Sequence, residues 1–124
     1  MPGRRAHARR TAAILRLMAY DEELAARVRD VLVGEPGIAE KRMFGGLAFL
    51  VDGHMGVSAS SRGGLLVRVE PERGEALLEE PGVAPFEMRG CPMTGWLHVS
   101  PAAVEEQDAL ERWVGLALSC ARSL

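Results

Sequence analysis

Aromatic side chains are scarce in this chain: 5% of its 124 residues, as two Trp, one Tyr and three Phe. So few rings argue against a nucleic-acid surface built on base stacking, which needs several on one face. Cysteine is scarcer still. Cys91 and Cys120 are too few and too far apart for a disulfide framework, and two free thiols in a reducing cytoplasm are expected. The longest apolar run, Met43 to Val51, is far short of the ~20 residues that a membrane-spanning helix needs. No HxH, HExxH or CxxC spacing is present, and no glycine-rich phosphate loop opens a helix. No metal or cofactor is expected.

What is present is an ordinary globular composition, 48% hydrophobic and 26% charged, of a length that makes one domain. Its net charge of −2 hides an asymmetry. Residues 1–17 hold five arginines (Arg4, Arg5, Arg9, Arg10, Arg16) and no acid. The other 107 residues hold the remaining ten basic side chains against all seventeen acidic ones, a charge of −7. An acidic body repels phosphate backbones. Direct nucleic-acid binding by residues 18–124 is therefore not expected; it would fall to the basic leader or a local patch. The leader superficially resembles a signal peptide, but Arg16 interrupts its apolar segment and no cleavage site precedes Asp21-Glu22-Glu23. It reads as a disordered arm or as an upstream misassigned start, with Met18 the true first residue. A cytoplasmic protein is expected.

Along the chain, Asp21 suits a helix N-cap, and Glu22 and Glu23 suit the positive end of the dipole. Leu24, Val28, Val31 and Leu32 form one helical face, which Gly34 and Pro36 terminate. From Ile38 the period changes to two. Strands are expected near 40–44, 47–51, 54–60 and 65–69, with Asp52-Gly53 as a type I′ hairpin turn and 61–64 as a second turn. Pro71 opens a short helix over 72–80. Val83 to Gly90 reads as extended, Cys91 to Gly95 (CPMTG) as a loop, and Trp96 to Val99 as a last strand. Ser100-Pro101 reads as the start of a closing helix with Leu110, Trp113, Val114, Ala117 and Leu118 on its buried stripe. The fold class is α+β: an antiparallel sheet covered on one side by helices.

Catalytic residues are not evident. His54, His98 and Cys91 share no ligand spacing, and Cys91 has no partner base in view, so an ordinary thiol is the better account. Glu79-Glu80 and Glu105-Glu106 read as solvated helix charge. Phe44-Gly45-Gly46 joins two strands, so a strand break is preferred to a phosphate cradle. KRMFGGLAFLV faintly echoes an RNA-binding strand, but Phe49 fits a core position.

RMFGGLAFLVDG, the later RGCPMTGWLHV, and a closing helix carrying Trp113 and Ala117 together resemble the N-terminal domain of the TfoX/Sxy family over about Ala19–Leu124. The resemblance implies a two-layer domain of the order α-β(3)-α-β(2)-α. It also implies a non-enzymatic role in competence-type transcriptional regulation through a protein partner, such as a transcription factor. Founding members continue into a second, helical domain; a stand-alone N-terminal domain is the expectation here, and such a unit can keep the fold without the competence role.

Ala48 and Leu50, on the strand face opposite Phe49, would be partly bare in a two-layer fold, and such a patch marks a protein interface or a homodimer. Lys41, Arg42, Arg62, Arg68 and Arg89 could gather on the same meander. A solvated face is the plain account of that set; a nucleic-acid patch is the alternative. All seven residues form the candidate interaction surface.

Overall fold

The structure, a computed structural model, describes residues 20–43, 45–88 and 90–124. The basic leader and Arg89 lie outside the described residues. Helix α1 (Glu22–Val31) starts where the sequence places it. The Asp21 carboxylate accepts hydrogen bonds from the backbone N–H groups of Glu23 (3.0 Å) and Leu24 (3.2 Å), satisfying two otherwise orphaned donors. Leu24, Ala25 and Val28 are buried on the face toward the sheet.

Four strands follow: β1 (Ile38–Met43), β2 (Gly46–Val51), β3 (His54–Ala59) and β4 (Leu65–Arg68). Asp52 (φ 51°) and Gly53 (φ 86°) both take the positive φ that a type I′ turn demands, and this fixes the β2–β3 register. Helix α2 (Pro71–Leu77) crosses over to β5 (Val83–Met88), which turns back into β6 (Cys91–Val99). A 3₁₀ turn (Pro101–Val104) leads to α3 (Gln107–Arg122). The sheet is antiparallel throughout, in the order β1-β2-β3-β4-β6-β5.

Three details differ from the sequence reading. The CPMTG segment is not a loop but the first half of the nine-residue β6. The β5–β6 hairpin closes tightly, with Met88 paired to Cys91, so these residues ladder with an edge strand despite their turn-forming composition. Gly95 (φ 84°) bends the strand, and its carbonyl accepts the Val69 N–H at 2.8 Å. Second, Ser100-Pro101 opens the 3₁₀ turn rather than the closing helix: Ser100 Oγ accepts from Ala103 N at 3.3 Å, and α3 begins only at Gln107. Third, the four strands that the residue pattern places before α2 are all present, one more than the resemblance implies, in an order otherwise consistent with it and with the α+β class unchanged.

The core lies between the sheet and the helices. Two cross-strand rows face α1 and α3: Leu47, Ala59, Leu65, Val99, and Phe49, Val57, Val67, Leu97. Leu110, Trp113, Val114 and Ala117 of α3 fill the same cluster, together with Val28 of α1 and Leu77 of α2. Leu118 is only partly buried against it. All three helices therefore pack on one side of the sheet. Ion pairs tie that layer together: Arg29–Glu40 (2.6 Å), Arg112–Glu80 (2.6 Å) and Arg122–Glu35 (2.8 Å).

Candidate functional site

The opposite pleat of the same strands carries no helix among the described residues. Register sets its composition. One row crosses the whole sheet as Lys41, Ala48, Ser58, Leu66, His98 and Ala84. A second row holds Ala39, Leu50 and Met55 at one end and Arg68 opposite Trp96 at the other.

Near the β3–β4 turn this face deepens into a groove of about 360 Å³. Leu66, Ser58 and Gly46 form its buried floor, and Met43 and Phe86 are half-buried at its sides. A side chain at position 46 would drive its Cβ into the Ala59 carbonyl oxygen, so glycine is what lets β2 lie this close to β3. The turn that overhangs the groove is well braced. Ser60 N donates to Gly64 O (3.0 Å), Gly63 N to Ser60 O (3.0 Å) and Arg62 N to Ser60 Oγ (3.1 Å). His98 Nε2 lies 2.8 Å from the Gly63 carbonyl, which can only accept, so Nε2 carries the proton and pins the turn to β6.

The candidate surface residues are distributed unevenly. Lys41 is exposed on the helix-free face, and Leu50 is half-buried there. Ala48 shares that face but is fully buried, which corrects the expectation that it is bare. Arg42 pairs with Leu47, so the pleat turns it to the helix side, away from Lys41. Arg62 stands on the groove rim. Arg68 lies with its guanidinium carbon 4.5 Å from the Trp96 ring centroid, and its Nε is buried without a hydrogen bond among the described residues. Lys41, Arg62 and Arg68 join no ion pair among the described residues.

Charge on the helix layer behaves differently. The Arg29 guanidinium, by hydrogen bonding first and charge second, holds the Glu40 carboxyl below its ordinary value of 4.5; Arg112 does the same to Glu80. Burial pushes the Cys120 thiol up from its ordinary value, away from reactivity. Both cysteines are free, Cys91 exposed and Cys120 buried. Among the described residues no group of three or more His, Cys, Asp or Glu is arranged to hold a metal ion, and no helix is long and apolar enough to cross a membrane.

Sequence reasoning missed the groove. Ser58 carried a signal, a hydroxyl alternating with Val57 and Ala59 in a strand. The approach of His98 to Leu66 carried none, because it depends on β6 inserting between β4 and β5.

Comparison with known families matches residues 18–121 to the TfoX N-terminal domain. The chain belongs to that family. TfoX N-terminal domains are associated with competence-related regulation and are not known as an enzyme family. No curated protein and no solved structure matches the chain.

Proposed function

We propose that this TfoX N-terminal domain is a non-enzymatic regulatory unit that acts on transcription through a protein partner, using the helix-free face of its sheet. The observation that carries the reading is the one-sided fold. A six-stranded sheet with all its described helices on one side leaves Leu50, Met55, Lys41 and the groove for other molecules. Transcription is the proposed target because membership of the TfoX N-terminal domain family suggests a competence-related regulatory role.

The test has two arms. Deleting the gene in its native host should change a defined set of transcripts, read by RNA sequencing. The purified full chain should show no salt-sensitive anisotropy change with labelled duplex DNA, because its acidic body must borrow another protein's DNA contacts. An unchanged transcript set would contradict the regulatory role. Tight duplex binding, lost on removing residues 1–17, would move the function to the arginine leader. That second reading is favoured by the five arginines there and by Lys41, Arg62 and Arg68, which join no ion pair among the described residues.

A further inference from the structure

The groove carries two opposite charges that do not pair with each other. Arg62 lines it from the β3–β4 turn and Glu87 lines it from β5, on the far side of β6. Both side chains are exposed, and neither joins an ion pair among the described residues. Between them lie Leu66, Ala84 and Ser58, which is only 3% exposed, with His98, Ser60 and Ser61 as further polar lining; the His98 Nε2 is already committed to the Gly63 carbonyl. The Ser58 hydroxyl has a 3.4 Å approach to the carbonyl of the adjacent Ala59, at the outer limit of hydrogen-bond length. A buried hydroxyl this poorly satisfied carries a desolvation cost that a ligand's polar group would relieve. The volume, about 360 Å³, falls at the lower end of small-molecule sites.

From this arrangement we infer that the groove binds a small zwitterion with an apolar side chain, the chemistry shared by a free amino acid and a short peptide. The carboxylate meets Arg62, whose planar fork suits it, and the ammonium meets Glu87. The apolar side chain lies over Leu66 between Met43 and Phe86. A nucleic-acid strand fits poorly, since it would meet one cation and one carboxylate here, and the nearby Trp96 ring is already covered by Arg68. This inference stands independently of the protein-partner reading, since a ligand in the groove needs no partner.

The test titrates the full chain with leucine, phenylalanine and leucyl-leucine, and with the N-acetyl and C-amide form of each, by calorimetry and by backbone-amide NMR shifts. At least one zwitterion should bind saturably at millimolar concentration or below and shift the amides of Gly46 and Ser58. Removing either of its charges should weaken binding by about fivefold or more. Arg62→Glu should abolish the benefit of the carboxylate alone, and Glu87→Lys that of the ammonium alone. Both positions are exposed, so the melting temperature should not move. Preference for leucine or phenylalanine over leucyl-leucine would identify a free amino acid as the ligand, and the reverse a peptide. Absence of saturable binding by every zwitterion, equal binding of the capped forms, or binding unaffected by both variants would each overturn the inference.

Discussion

Phe49 from β2 and Trp113 from α3 bring the two layers into one cluster, and each is almost wholly removed from water. Phe49→Ala should lower unfolding free energy by about 3–5 kcal/mol in urea titration, the transfer loss plus the cavity left behind. Leu50 is the contrasting neighbour. It is half-buried on the other pleat, so Leu50→Lys should cost about 1 kcal/mol or less and leave a cooperative transition. A collapse in stability would place Leu50 in a core rather than on an accessible face. The period-2 pattern of residues 47–51 showed two apolar faces. It did not show how deeply Ala48 is buried, because strand alternation gives direction and not depth.

Helix starts were legible because capping is local chemistry. Asp21→Ala should remove the two hydrogen bonds at the start of α1 and cost about 1 kcal/mol. The start of α3 was misread because Ser100-Pro101 is an equally good cap for the single 3₁₀ turn that precedes it. Ion pairs between elements were not legible, since they join residues such as Glu80 and Arg112 that meet only after β5 and β6 are in place. Their pH signature follows from lowered carboxylate values at Glu40 and Glu80. A carboxylate lowered on folding stabilises above its unfolded value and loses that contribution as pH falls through the folded one. Stability should therefore be flat above about pH 4.5 in this respect and decline below it. For the half-exposed Arg112–Glu80 pair, a double-mutant cycle should give a coupling of about 0.5 kcal/mol, shrinking in high salt.

At the scale of the molecule, the class and most strand positions were readable from turn chemistry and alternation. Asp52-Gly53 alone fixed the β2–β3 hairpin. The sheet order was not readable, because insertion of β6 between β4 and β5 depends on the length of the α2 crossover and on the core it closes. That insertion places His98 beside Leu66 and so builds the groove.

The same topology leaves one face without helices among the described residues, and regulation is proposed to act through that face. The most direct measurement is complementation of a gene deletion, read as the transcript profile. One strain would carry Leu50→Lys and a control Val33→Lys, at a side chain 74% exposed beyond the end of α1. Both proteins should accumulate and melt cooperatively, Val33→Lys at the original temperature and Leu50→Lys no more than a few degrees below it. The account predicts that Val33→Lys restores the profile and Leu50→Lys does not. Full restoration by Leu50→Lys would contradict it.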